Sequence, residues 1–152
     1  RTPWDEFSSD LFRFFLPGGG PWQRVGVWGG KAPRAAGHSL LFHPPSRSLL
    51  VYGGHRPSTA RFSVRVNSSD LFHLDRRHWS SLRSRGEFGG WAQQGPRERA
   101  FHSASLIGNY MVVFGGNVHT HYHEEKCYEE GLHFYHLGCH RWSRGEPLDI
   151  SQ

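Results

Sequence analysis

Cysteine, methionine and long apolar runs are all scarce in this chain of 152 residues. No window of 18 apolar residues occurs, so no stretch has the length of a membrane-spanning helix. Apolar residues make up only 36%, low for a globular protein, and Cys127 and Cys139 are the only cysteines. The chain begins Arg-Thr-Pro-Trp, with neither an initiator Met nor an apolar leader. The expectation is a fragment of something longer. Clustered charge of one sign is absent too. The formal charge is +5, but nearly all the basic residues are Arg scattered singly or in pairs, as at Arg76-Arg77. Nucleic-acid binders gather such residues on one face with stacking aromatics, so no nucleic acid is expected as a partner.

What is abundant points to β-structure. Aromatics reach 14%, and nineteen Gly with nine Pro imply many turns between short elements. An internal repeat organises them. Ser8-Ser9-Asp10-Leu11-Phe12 recurs as Ser68-Ser69-Asp70-Leu71-Phe72, with a looser third copy at Gly131-Leu132-His133-Phe134. Trp22, Trp79 and Trp142 follow the three copies in turn. Between them, Gly37-His38-Ser39 leads to Leu49-Leu50-Val51-Tyr52-Gly53-Gly54. Phe101-His102-Ser103 likewise leads to Met111-Val112-Val113-Phe114-Gly115-Gly116.

Each unit has the pattern of four short strands. Gly108-Asn109 is a tight-hairpin signal. The second strands are apolar on both faces, as strands sandwiched between neighbouring sheets should be. The Gly-Gly pairs fit backbone that turns with positive φ or passes close to a neighbour. One such sheet cannot bury both faces, and radial stacking of several solves that problem. The fold class expected is all-β: a partial propeller of about two and a half four-stranded antiparallel blades. The divisions are 1–30 for a partial blade, 31–90 and 91–143 for two full blades, and 144–152 for a tail of uncertain status.

Strand, Gly-Gly, aromatic strand and Trp in this order resembles the kelch motif, over about residues 8–143. The repeat of about 60 residues exceeds the kelch length of about 50, and the excess falls in segments 55–67 and 84–94. Arg99 stands where kelch propellers often carry Arg, three residues before His-Ser, whereas Ala35 stands there in the earlier unit. The run from Arg99 to Asn117, followed by His119-Thr120-His121-Tyr122-His123 and Cys127-Tyr128, is similar to the attractin family. That resemblance implies the outer part of a large single-pass membrane protein with EGF-like modules.

Several residues invite chemistry. Asn67-Ser68-Ser69 is an N-glycosylation sequon, expected in an exposed loop. Cys127 and Cys139 are disulfide candidates if the chain is secreted, although they flank opposite ends of a strand. His119, His121 and His123 are weak metal-ligand candidates, with a polar loop as the default, so no metal and no cofactor is expected. His38-Ser39 and His102-Ser103 are adjacent on a strand, point to opposite faces and cannot act as nucleophile and base. Trp22, Trp79 and Trp142 are expected to pack between blades. No catalytic constellation survives, so the chain is expected to be a binding module rather than an enzyme. It is expected to take a protein partner through its loops, with 55–67 and 117–126 as candidates, to touch no membrane directly, and to join further blades of the same ring. A cytosolic adaptor similar to muskelin or to ubiquitin-ligase substrate receptors is the alternative. A kelch-type copper oxidase would need Tyr, His and Cys converging on the ring axis.

Overall fold

The computed structural model describes residues 7–29, 33–57, 65–82, 95–118 and 128–145. Every regular element among them is a strand: β1 (Leu11–Arg13), β2 (Gln23–Val25), β3 (Trp28–Gly29), β4 (Ser39–His43), β5 (Ser48–Tyr52), β6 (His55–Pro57), β7 (Arg65–Asn67), β8 (Leu71–Asp75), β9 (His78–Ser81), β10 (Ser103–Ile107), β11 (Tyr110–Phe114), β12 (Leu132–His136) and β13 (Arg141–Gly145). No described helix is long and apolar enough to cross a membrane.

The strands form a hairpin β1-β2, a sheet β3-β9-β8-β5-β4, a ribbon β6-β7 and a sheet β10-β11-β12-β13. All pairings are antiparallel except β3 with β9, which is parallel. This is a partial propeller. Two departures from the sequence reading concern boundaries. Trp28–Gly29 adds a fifth strand to the middle blade, anchored where Trp28 N donates to Arg77 O at 2.8 Å. β13 runs on to Gly145, because its backbone still pairs with Leu132.

Burial follows the blade logic. In β5, Leu50, Val51 and Tyr52 are all buried, so both faces are covered. Tyr52 packs with Leu71, Met111, Val113, Tyr135 and Trp142 between the two full blades. Val51 packs with Leu74 and Trp79, which Leu11 and Val27 cover from the other side. Burying each such side chain contributes about 1.5–3 kcal/mol. In β11 only Met111 and Val113 are covered. Phe114, which occupies the place of Tyr52, is 49% exposed. At the other end of the array, Leu40 and Phe42 are exposed, whereas their counterparts Ala104 and Leu106 pack against the inter-blade core.

Trp79 and Trp142 pack between blades as expected. Trp22 does not: it is 68% exposed and meets Phe14 at 5.2 Å between ring centroids. The reason is loop length. Trp22 precedes β2 at the end of the connection 14–22, whereas Trp79 and Trp142 lie within their fourth strands.

Candidate interaction surface

Antiparallel strands send their connections alternately to two ends of a blade, so the array has two rims. The Gly-Gly pairs lie at one of them. Gly53 and Gly54 have φ of 66° and 89°, and Gly115 and Gly116 have 68° and 89°. A Cβ on Gly54 would meet Ala36 O at 2.9 Å, and one on Gly116 would meet Ala100 O at 2.8 Å. The second glycine of each pair is therefore required by its own blade. A Cβ on Gly53 would instead meet His102 of the following blade at 2.7 Å. Here the backbones of the two full blades interlock: Gly54 N donates to Arg99 O, and Arg99 N donates to Ser68 O.

Arg99 is fully buried at this junction. Its guanidinium donates to Gly115 O at 2.9 Å and to Glu129 Oε2 at 2.6 Å. Glu129 Oε1 accepts from His133 Nε2 at 2.8 Å. Burial pushes the Glu129 carboxyl up, but His133 and Arg99 together hold it below its ordinary value. Burial likewise holds His133 down despite Glu129, which leaves it a neutral donor at pH 7. In the preceding blade Ala35, Gly53 and Ser68 occupy the places of Arg99, Gly115 and Glu129. They line a cavity of about 330 Å³, at whose mouth Arg56 pairs with Asp70 at 3.8 Å. This ion pair is built from other positions, Arg56 beyond the Gly-Gly pair and Asp70 two residues after Ser68, and both side chains are about half exposed.

His102 finds a serine outside its own His-Ser pair. Its Nε2 lies 3.0 Å from Ser39 Oγ, across the blade boundary. Burial, aided by the Arg99 charge, pushes His102 down to about 4, which makes it a poor base at neutral pH. No carboxylate orients its Nδ1 among the described residues. The pair is an inter-blade contact.

Asn67 is placed differently from the exposed loop its sequon predicts. It ends β7, is only 8% exposed, and its Nδ2 donates to Asn117 O at 3.1 Å. Segment 55–67 is not wholly a loop, because His55–Pro57 pairs with Arg65–Asn67. Cys139 is exposed in the turn between β12 and β13. Tyr128, the neighbour of Cys127, bridges to Asn117 at the opposite rim. Cys127 itself and the histidines His119, His121 and His123 lie outside the described residues. Among the described residues no three His, Cys, Asp or Glu side chains gather as a metal site.

Two features gave weak sequence signals. Glu129 is one of several acidic residues before a strand, and only its distance to Arg99 distinguishes it. Connection 14–22 is rich in Gly and Pro, as a turn would be, yet Phe15, Leu16 and Trp22 stand exposed on it.

Comparison with known proteins accords with the resemblance carried by residues 99–128. Residues 1–151 match the model of the Attractin/LZTR1 beta-propeller family. The chain is 65% identical over 150 residues to multiple epidermal growth factor-like domains protein 8 of Homo sapiens, and 64% identical to that of Rattus norvegicus. Each match covers 97% of this chain and 5% of the relative. The leucine-zipper-like transcriptional regulator 1 homolog of Drosophila melanogaster is 27% identical over 120 residues, covering 74% of this chain and 11% of that protein. The chain thus spans about one-twentieth of the length of the first two relatives.

Proposed function

The chain belongs to the Attractin/LZTR1 β-propeller family, and we propose that it serves as an extracellular protein-binding segment of a large membrane-anchored protein. It is a β-propeller interaction module. The observation that carries the finer reading is 65% identity across 97% of the chain to a protein named for its epidermal growth factor-like domains. Such domains are small disulfide-dense modules of secreted and cell-surface proteins. The role proposed for it is receptor regulation or developmental signalling at the cell surface, by binding rather than catalysis. The exposed Leu40 and Phe42 at one end, and Phe114 and Tyr110 at the other, are surfaces for further blades of the same ring.

The test is topological. An epitope tag between Gly89 and Gly90 of the full-length protein is stained with antibody on intact and on permeabilised cells. Staining of intact cells is the expected result. Staining only after permeabilisation sinks the extracellular reading and favours a cytosolic kelch adaptor.

A further inference from the structure

The rim opposite the Gly-Gly pairs is built from the hairpin connections 14–22, 44–47, 76–77, 108–109 and 137–140. Leu137 N donates to Asn109 O at 2.9 Å, and connection 14–22 takes the place in its repeat that 76–77 and 137–140 take in theirs. Taken with one strand residue on either side of each, these connections carry Arg13, Arg47, Arg76, Arg77 and Arg141 against a single carboxylate, Asp75. The Gly-Gly rim is different. There Asp10, Asp70 and Glu129 each have an arginine partner, namely Arg24 at 2.6 Å, Arg56 at 3.8 Å and Arg99 at 2.6 Å.

Four of the five non-glycine residues with positive φ among the described residues, Arg47, Arg76, Arg77 and His140, lie on this rim, and Phe101 lies on the other. Arg47, Arg76 and Arg77 have φ of 51°, 47° and 68°, the left-handed region that side chains other than those of Gly and Asn resist. A two-residue hairpin with both central residues left-handed is made with least strain by Asn-Gly. This chain holds Arg-Arg there, at a steric cost the fold itself does not require. Strain of this kind concentrates where side chains are needed for function.

The third observation is the connection 14–22. It has nine residues where its counterparts have two and four, and it presents Phe15, Leu16 and Trp22 to solvent at 54%, 84% and 68% exposure. The Arg13 guanidinium lies 4.9 Å from the centre of the Phe15 ring. Arginine beside exposed Trp and Phe is the composition of protein-interface hot spots. A polyanion without apolar groups would leave the aromatic loop unused.

We propose that the hairpin rim docks an acidic segment of a protein partner, one with apolar side chains between its carboxylates. This rests on the interaction-module reading and assigns it a rim and a ligand chemistry. The carboxylates meet Arg47, Arg76 and Arg77 while the apolar side chains cover Phe15, Leu16 and Trp22.

The test uses the full-length protein and three fluorescein-labelled twelve-residue peptides: Glu-Glu-Leu-Phe, Lys-Lys-Leu-Phe and Glu-Glu-Ser-Ser, each repeated three times. The first binds tightest, and its affinity falls roughly tenfold or more between low and high salt, as screening of exposed charges requires. Arg76→Asn/Arg77→Gly supplies the preferred turn residues, so it keeps the fold and weakens the first peptide roughly tenfold, the size of effect a hot-spot pair carries. Leu16→Ser/Trp22→Ser weakens it likewise. Equal binding of the lysine peptide, no binding of the first peptide, or indifference to both variants overturns the proposal. So does tighter binding to heparin or to phosphatidylserine vesicles than to the first peptide. Loss on Arg56→Asn with retention in the Arg76/Arg77 variant overturns the rim but leaves the interaction module standing. Failure of the extracellular placement would appear in cell staining and leave these affinities unchanged.

Discussion

The buried guanidinium of Arg99 donates to Glu129 at 2.6 Å, so a single ion pair ties the approach to β10 to the approach to β12. Glu129 is 17% exposed and keeps its bond from His133, so removing Arg99 costs about 1.5–3 kcal/mol, the worth of a hydrogen bond to a charged group. Arg99→Met should therefore destabilise the propeller by about that much in denaturant unfolding of the intact protein. Adding Glu129→Leu should recover part of the loss, because an apolar pair leaves no charge unpaired. A single variant as stable as the parent would show the pair to be dispensable.

Gly53 and Gly115 have the same backbone conformation but different neighbours. A Cβ on Gly53 strikes His102 of the following blade at 2.7 Å, whereas one on Gly115 meets nothing within 4 Å in this chain. Gly53→Ala should lower stability by more than the roughly 1–2 kcal/mol of a left-handed alanine alone. In this chain by itself, Gly115→Ala should cost only that conformational term. In the intact protein it should cost as much as Gly53→Ala, because a further blade would bring its own histidine against it. Equal small costs for Gly115→Ala in both settings would argue against a blade packing there.

Acid should loosen the blade junction. His102 is held at about 4 by burial and by Arg99, below its ordinary 6.5, so folding favours its neutral form. Its contribution is complete above pH 6.5 and is lost as pH falls towards 4. His133 is shifted the same way by burial, and Glu129, held below 4.5, adds a further loss at lower pH. Each pKa unit corresponds to at most about 1.4 kcal/mol, and less at a site that solvent partly reaches. Melting temperatures of the intact protein at pH 7, 5.5 and 4.5 should fall in that order, and His102→Gln should flatten the decline. A parallel decline in the variant would exclude His102 as the source.

Asn67 has a sequon and a structural task that compete. Its Nδ2 is engaged with Asn117 O at 3.1 Å and its side chain is buried beside the β6-β7 ribbon. A glycan there would have to displace the packing around it. Peptide mass spectrometry with and without an N-glycosidase should find Asn67 unmodified even if the protein passes through the secretory pathway. A modified Asn67 would mean that the β7 edge opens before the blade closes.

Much of the fold was legible because a propeller writes the same instruction several times. The repeated Gly-Gly, His-Ser and Trp positions mark turn, junction and core in each of the two full blades, and the doubly apolar run at Leu50 to Tyr52 announced a strand covered on both faces. The site was less legible. Asn67, Glu129 and Trp22 each carry a local signal that fits a different role from the one they have. Their environment is set by residues 50, 30 and 8 positions away respectively, at Asn117, Arg99 and Phe14.

The sequence by itself determined the all-β class, the blade period and the family, because these depend on periodicity and on glycine positions that local sterics enforce. Only the tertiary structure decided that Ala35 leaves a cavity where Arg99 fills its counterpart. It alone placed His102 against a serine of the neighbouring blade and gathered the scattered arginines of the hairpin turns on one rim. Those outcomes depend on which distant strands meet, since charge balance and burial are properties of assembled surfaces and not of any single segment.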